Sequence, residues 1–159
     1  MGEVEVRHVG ADDWRVWRGI RLRSLREAPE AFGSTYEHEV GFAEQDWRDR
    51  LGSGGPAVLA FAGTEPVGIG AGFQDRDGWL HVVAMWVDLA WRGRGVARRV
   101  LDALVGWAAD RGLRTHLDVT VGNDRARGLY ERAGFVGTGG TRPLREGSAY
   151  LVERMVLPG

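Results

Sequence analysis

A short turn rich in glycine and arginine, residues 92–97, is the part of the sequence best suited to bind a ligand. It lies between a long apolar run and a predicted amphipathic helix, and its sequence is Arg92-Gly93-Arg94-Gly95-Val96-Ala97. Free backbone N–H groups and the helix dipole make the start of a helix an anion site, which glycines allow a ligand to approach. The turn and its neighbours Arg98 and Arg99 therefore predict a site for phosphate groups. The alternative is that the glycines only shape a tight turn and the arginines are solvated.

Several other kinds of site are excluded by the sequence. The chain has no GxxxxGK[ST] motif, and Gly93-x-Gly95-x-x-Arg98 lacks the third glycine of the dinucleotide fingerprint. The glycine series at 68–72 falls inside a predicted strand, where close packing is the expected reason for it. All 21 basic residues are arginine, so no lysine Schiff base can form. The chain also has no cysteine, which excludes disulfides, thiolate metal sites and a cysteine nucleophile.

The elements that would position this turn follow from hydrophobic periodicity and from glycine and proline breaks. Strands are predicted at residues 3–7, 57–62, 67–73, 79–88, 117–121, 135–137 and 150–157. Helices are predicted from Asp12 or Asp13 to Ala28, and at 43–51, 96–111 and 123–133, with 28–41 irregular or short-helical. The order β-α-α-β-β-β-α-β-α-β-β predicts a mixed α+β fold and not a regularly alternating one.

The composition favours one domain over residues 1–159. With 43% hydrophobic and 27% charged residues, a chain of this length can bury most of its apolar surface in one core. No apolar run approaches the length of a membrane-spanning helix, and Met1-Gly2 leads directly into an alternating pattern. We therefore expect no leader segment, no membrane contact and a cytoplasmic location. The net charge of -1 provides no basic surface for nucleic acid.

Two motifs in the right order resemble the GNAT superfamily, the Gcn5-related N-acetyltransferases. The signature Arg/Gln-x-x-Gly-x-Gly/Ala is met by Arg92, Gly95 and Ala97, and residues 87–91 resemble Val-Asp-Pro-x-aromatic with Leu89 in place of proline. The matching downstream residues are Val121, Asn123, Ala126, Leu129, Tyr130, Glu131, Gly134 and Phe135. The resemblance implies a mostly antiparallel seven-stranded sheet, splayed between strands 4 and 5 and flanked by about four helices.

The use of arginine alone as the basic residue, together with 25 glycines, suggests a bacterial origin. The family resemblance also implies a function. The expected reaction moves an acetyl group from acetyl-CoA to a primary amine of a small molecule or peptide N-terminus by direct attack, with no metal. The residues expected to bind the donor are Met85, Trp86, Val87, Arg92, Gly93, Arg94, Gly95, Val96, Ala97, Asn123, Arg127 and Tyr130. In the strand, backbone N–H groups would make these contacts, whereas the side chain of Asn123 would contact the pantetheine arm, cap a helix, or do both.

Catalytic roles follow only in part. Tyr130 matches the position of the family's general acid, which protonates the CoA thiolate, although a tyrosine there could also be a core aromatic residue. The general base is left open among His81, Glu37 and Glu39, each of which could instead be a packed or solvated residue. The acceptor site is expected to include Phe32, Tyr36, Glu37 and Trp86, together with the loop at 139–149.

Two further functions stay open. One is a non-catalytic acyl-CoA-binding or regulatory module with the same fold, and the other is an unrelated nucleotide-binding domain. A monomer and a homodimer are both compatible with the sequence, and the residues do not identify the acceptor amine.

Overall fold

The computed structural model describes residues 3–159, and Met1 and Gly2, where the sequence predicts no leader, lie outside the described residues. Seven strands form one sheet: β1 (Val4–His8), β2 (Ala57–Ala62), β3 (Glu65–Gln74), β4 (Leu80–Val87), β5 (Thr115–Thr120), β6 (Val136–Pro143) and β7 (Leu151–Val156). The helices are α1 (Trp14–Glu27), α2 (Tyr36–Glu39), α3 (Glu44–Leu51), α4 (Val96–Asp110) and α5 (Asp124–Arg132). The predicted mixed α+β fold is confirmed, with the single-turn α2 adding a fifth helix.

The order of strands in the sheet is β1-β2-β3-β4-β5-β7-β6. Every neighbouring pair is antiparallel except β4 and β5, which are parallel. These two strands pair only from Leu80 to Val82, opposite residues 115–117. Beyond Val82 they diverge, so the predicted splay between strands 4 and 5 is confirmed.

The two faces of the sheet carry separate hydrophobic cores. On one face, α4 buries Val100, Leu101 and Leu104 completely, as its 3.6-residue periodicity predicts. On the other face, α1 and α3 contribute Ile20 and the fully buried Trp47. The splayed strands β4 and β5 therefore lie between two packed layers.

The glycine series in β3 has the packing role that its position predicts. A Cβ atom added at Gly70 would lie 2.6 Å from Cγ1 of Val100 and 2.9 Å from the sulfur of Met85. Such distances are well inside van der Waals contact, so only glycine lets α4 approach the sheet this closely.

One predicted irregular segment is partly regular. The region 139–149 was expected to be a loop, but β6 continues to Pro143 and pairs with β7 through Thr141, Arg142 and Pro143. Its pairing register shifts between Gly137 and Thr141, which is the signature of an irregularity in an edge strand. Only residues 144–150 form the loop. Over residues 3–159, no helix combines the length and apolar character needed to span a bilayer.

Candidate active site

A cleft of about 760 Å³ opens where β4 and β5 diverge. Its wall includes Met85 from β4, Asp118 from β5, and Asn123 and Tyr130 from the start and the body of α5. The segment after α1 closes the other side, where Phe32 lines the cleft. The interrupted sheet thus brings residues of the downstream motif and part of the predicted acceptor segment to one cavity, whereas the glycine turn at 92–97 does not line it.

A bulge in β4 creates the splay. Among residues 3–159, Ala84 is the one non-glycine residue with a positive φ, 63°, and the β3–β4 register shifts between Ile69 and Ala71. A residue held in this strained region re-aims the strand and its backbone N–H groups. Residues 83–87 have no strand partner on the β5 side within the described chain. Backbone donors of β4 are therefore available to the cleft, as the family resemblance implies.

The three predicted donor-site residues of β4 differ in the direction of their side chains. Met85 lines the cleft. Trp86 belongs to the core on the α1 side, and Val87 belongs to the core on the α4 side. Contact of Trp86 and Val87 with the donor would therefore have to come from the backbone, which stays a prediction.

The glycine turn presents an open backbone at the start of α4. Gly93 and Gly95 have φ values of 77° and 81°, a left-handed conformation that glycine adopts without strain. Added Cβ atoms at either position would meet nothing within 4 Å. The glycines thus serve backbone conformation and access, and not close packing. Val96, which follows them, is buried and anchors the helix beneath the turn. Ala97 is half-buried against the same core.

Arginines around the turn have partners within the protein. The guanidinium of Arg92 donates to the carbonyl oxygen of Val87 at 2.9 Å and to Glu27 at 2.9 Å, which ties the turn to α1. Arg94 lies over the ring of Trp91, with its guanidinium carbon 5.4 Å from the centroid. The binding of phosphate would therefore rest mainly on backbone N–H groups, with Arg92 holding the turn in place.

Arg98 and Arg99, at the start of α4, are engaged in a similar way. Arg98 pairs with Asp102 on the next turn of the helix, and Arg99 donates to the carbonyl oxygen of Val4. Both side chains are exposed, so these surface contacts are weak and can exchange for a ligand phosphate.

Two of the three predicted donor-site residues at α5, Asn123 and Tyr130, line the cleft. Asn123 caps the helix, its Oδ1 accepting from the backbone N–H of Ala126 at 3.2 Å, which confirms the capping role. Tyr130 is 8% exposed and packs edge-on against Phe135. Burial raises the pKa of Tyr130 to about 12, so its hydroxyl keeps its proton at neutral pH. The core and cleft interpretations of Tyr130 are thus compatible.

Arg127, another predicted donor-site residue, is paired with two carboxylates and does not line the cleft. It donates to Glu153 of β7 at 2.7 Å and lies 3.5 Å from Glu131. The hydrogen bond from Arg127 lowers the pKa of Glu153. This pair joins α5 to β7, so the structure supports a positioning role, and contact with the donor stays a prediction.

Of the three candidate bases, His81 has the most suitable surroundings. It lines the cleft, and its Nε2 lies 3.7 Å from Oδ2 of Asp118. Burial lowers the pKa of His81 to about 4, and Arg154 and Arg142 act in the same direction. The ring is therefore neutral at pH 7 and has a nitrogen lone pair.

Glu39 and Glu37 have opposite environments. Glu39 is fully buried, and its two carboxylate oxygens accept from Nε and Nη2 of Arg21, each at 3.0 Å. Burial alone would raise the pKa of Glu39, but the hydrogen bonds and charge of Arg21 outweigh it and hold the pKa below its usual value. Because Arg21 occupies both of its oxygens, this carboxylate is not free to accept a proton from a substrate, which argues against Glu39 as the base. Glu37 is exposed on α2.

The predicted acceptor residues are only partly brought together. Phe32 is buried, lines the cleft and lies beneath the guanidinium of Arg21. The hydroxyl of Tyr36 accepts from Arg26, and the indole N–H of Trp86 donates to Glu27 at 2.8 Å. Those two side chains therefore stabilise the α1 side of the cleft.

Asp118, His116 and Ser34 near the cleft were not identified from the sequence. Asp118 and Ser34 line it, and His116 lies directly behind His81. The alternation of polar and apolar residues in Thr115–Thr120 carried a signal, because it places His116 and Asp118 on one face of the strand.

Comparison with known proteins agrees with this geometry. The model of the acetyltransferase (GNAT) family matches residues 20–135. The N-alpha-acetyltransferase RimI of Mycobacterium tuberculosis is 37% identical over 81 residues, 51% of this chain and 47% of the relative. The chain thus matches about half the length of this curated relative.

Solved structures extend the likeness over nearly the whole chain. The structure of yncA from Salmonella typhimurium with acetyl-CoA has a TM-score of 0.78 and 17% identity, covering 98% of this chain and 94% of that one. An acetyltransferase of the same organism that modifies the N-terminal serine of ribosomal protein L7/L12 has a TM-score of 0.71 and 16% identity, covering 98% and 95%. At these identities the likeness establishes the fold.

The predicted enzyme class, an N-acetyltransferase, and the predicted donor, acetyl-CoA, both agree with these findings. The family match covers both sequence motifs and the strands that form the cleft. On this basis the chain belongs to the acetyltransferase (GNAT) family.

Proposed function

We propose that this protein transfers the acetyl group of acetyl-CoA to the α-amino group of a peptide or protein N-terminus. The observation that carries this proposal is the cleft where β4 and β5 diverge, which is lined by both His81 and Tyr130. The turn suits the donor pyrophosphate, and the splayed edge of β4 suits the pantetheine amides and the thioester carbonyl.

The amine attacks the thioester carbonyl carbon, the tetrahedral intermediate collapses, and the C–S bond breaks to release the CoA thiolate. Tyr130 keeps its proton at neutral pH and can donate a hydrogen bond to the leaving sulfur. Complete transfer from a group with a pKa of about 12 to a thiolate whose thiol has a pKa near 8.5 is uphill by about 5 kcal/mol. Tyr130 therefore acts chiefly by stabilising the departing thiolate, which takes up its proton as solvent enters.

The weak basicity of His81 favours an N-terminal acceptor. An α-amino group has a pKa near 8, so about a tenth of it is uncharged at pH 7. A lysine-type amine, with a pKa near 10.4, is uncharged in fewer than about one molecule in a thousand. A base whose pKa is near 4 does not readily deprotonate a lysine-type ammonium group before attack, but it can accept the proton that the amine loses after attack. The 37% identity with an N-alpha-acetyltransferase supports the same acceptor class.

A second candidate is a small-molecule amine acceptor, which the mixed charges of the cleft also permit. The test measures release of CoA thiol and mass of the product with three acceptors. These are a lysine-containing peptide with a free N-terminus, the same peptide with its N-terminus acetylated, and a polyamine. We expect modification of the first peptide at its α-amine. Turnover with only the polyamine would replace the peptide assignment, and CoA binding without thiol release for any amine would indicate a non-catalytic module.

The cytoplasmic location, the single domain and the oligomeric state stay predictions.

A further inference from the structure

A continuous row of side chains leads from the cleft wall to the turn between β3 and β4. Nδ1 of His81 lies 2.8 Å from Nδ1 of His116, its partner across the parallel strands. Nε2 of His116 lies 2.6 Å from Oδ2 of Asp75, just after β3. His81 lines the cleft and His116 is buried behind it. The three groups therefore connect the candidate base to the turn at the end of β3.

The hydrogen bonds determine which ring nitrogens carry protons. Burial alone would raise the pKa of Asp75, but hydrogen bonds from the backbone N–H groups of Trp79 and Asp77 and from His116 lower it, so its carboxylate is ionised. An ionised carboxylate only accepts hydrogen bonds, so Nε2 of His116 carries a proton. With only that one proton on its ring, His116 accepts at Nδ1, and His81 donates from its own Nδ1. In that arrangement the lone pair of His81 is on Nε2.

We propose that Asp75 and His116 are positioning residues that fix His81 with its Nε2 lone pair available to the acceptor amine and then take over the proton it receives. This inference rests on the proposed function of the cleft. The amine gives a proton to Nε2 of His81, and the Nδ1 proton of His81 moves to Nδ1 of His116. The positive charge then rests on His116, whose Nε2–H remains hydrogen-bonded to the carboxylate of Asp75. His81 is then neutral with its proton on Nε2, and it regains its starting form when that proton leaves to solvent and the extra proton on His116 returns to Nδ1 of His81.

The surrounding charges agree with this direction of transfer. Asp118 faces His81 from β5, but Arg154 of β7 and Arg142 of β6 both pair with it and offset its charge. His116, by contrast, faces Asp75 from the β3–β4 turn. Trp79 stacks on the ring of His116 with centroids 5.2 Å apart, and the guanidinium of Arg114 lies on Trp79 at 4.1 Å. Asp75 is thus the carboxylate that faces a proton on His116, whereas the charge of Asp118 beside His81 is shared with two arginines.

The substitution Asp75→Asn tests the row because the turn dictates the orientation of the new amide. Oδ1 of Asp75 accepts from the backbone N–H groups of Asp77 and Trp79 at 2.9 and 3.0 Å. The oxygen of an asparagine would keep those two donors, so its NH₂ group would face Nε2 of His116. His116 would then have to carry its proton on Nδ1, and His81 would have to carry its own on Nε2, which removes the base lone pair. Asp77→Asn, an exposed position in the same turn, is the matched control.

Two measurements decide the proposal. The first is ¹⁵N NMR of histidine side chains, which is tractable because the chain has 4 histidines. In the wild type at pH 7.5 we expect His81 to carry its proton on Nδ1 and His116 on Nε2, and Asp75→Asn should invert both. The opposite tautomers in the wild type would overturn the proposal without any activity measurement. Asp77→Asn should match the wild type.

The second measurement is steady-state kinetics with a peptide acceptor. We expect Asp75→Asn to lower kcat about 100-fold, within the range for general base catalysis, while the Kd for acetyl-CoA is unchanged. Because Asp75 would act through His81, the double variant with His81→Ala should be no slower than His81→Ala alone. Additive losses would indicate a structural role and refute the row. A wild-type rate for His81→Ala would show that His81 is not the base. Absence of turnover by the wild type would count against the proposed function. The tautomers measured by NMR would still show which nitrogen donates and which accepts in each hydrogen bond of the row.

Discussion

Glu39→Gln separates a structural carboxylate from a catalytic one. Glu39 is fully buried and accepts two hydrogen bonds of 3.0 Å from Arg21. Nη1 of Arg50 also lies 3.5 Å from Oε1 of Glu39. Glutamine keeps the shape but leaves the guanidinium of Arg21, whose side chain is 11% exposed, without its countercharge. Removing one partner of a buried pair typically costs about 3–5 kcal/mol of the free energy of unfolding. For a chain of this size, that loss lowers Tm by roughly 6–20 °C.

The assay combines urea unfolding with kinetics of thiol release below the Tm of the variant. Glu37→Gln is the matched control, because Glu37 lies two residues away on α2 and is exposed, so its unfolding free energy should change by no more than about 0.5 kcal/mol. If Glu39→Gln is as stable as the wild type but loses kcat about 100-fold, the ion pair is not structural and Glu39 is the base after all. A large fall in stability with kcat retained in the folded fraction is the expected result.

Three other perturbations test the donor turn and the two titratable groups. Gly95→Val should weaken CoA binding at least about tenfold, because a side chain there enters the space above the start of α4. Gly112→Val, just after the other end of α4, is the control. It imposes the same positive-φ strain of about 1–2 kcal/mol but should leave the Kd for CoA unchanged. Tyr130→Phe should lower kcat by about 10²-fold with the Kd of acetyl-CoA unchanged, and an unaltered kcat would remove its hydroxyl from the mechanism. His81→Gln should reduce the loss of stability in acid. The folded pKa of His81, about 4, lies below the unfolded value of 6.5, so wild-type stability is full above pH 6.5 and falls by up to about 3 kcal/mol as pH drops to 4. Parallel pH dependence of unfolding in the two proteins would contradict that assignment.

Most elements could be predicted because their patterns are local. The apolar stripe of α4 and the apolar run of β2 each identify a buried element within about ten residues of sequence. The continuation of β6 to Pro143 could not be predicted, since its residues after Gly137 are exposed and show no alternation. That part of the strand exists because β7 offers hydrogen-bonding partners, which is information from another part of the chain.

The same distinction applies to the cleft. The glycine turn could be predicted because its backbone conformation depends on the local sequence, in which Gly93 and Gly95 adopt positive φ values. The acceptor side could not, because its key contacts join distant residues: Glu39 with Arg21, 18 positions away, and His116 with Asp75, 41 positions away. Whether a glutamate is a base or a structural counterion depends on which cation lies beside it, and no local pattern contains that.

Burial shifts the pKa values of the two catalytic candidates in opposite directions, and both shifts favour the uncharged form of the group. It lowers the pKa of His81 to about 4 and raises that of Tyr130 to about 12, because desolvation disfavours whichever form of each group is charged. At neutral pH the cleft thus contains an uncharged acceptor and an uncharged donor, each in the protonation state its proposed role requires. Neither titrates between about pH 5 and 11, so the acceptor amine should dominate the pH dependence of kcat/KM. An N-terminal amine, with a pKa near 8, is then the acceptor whose reactive fraction rises most steeply across physiological pH.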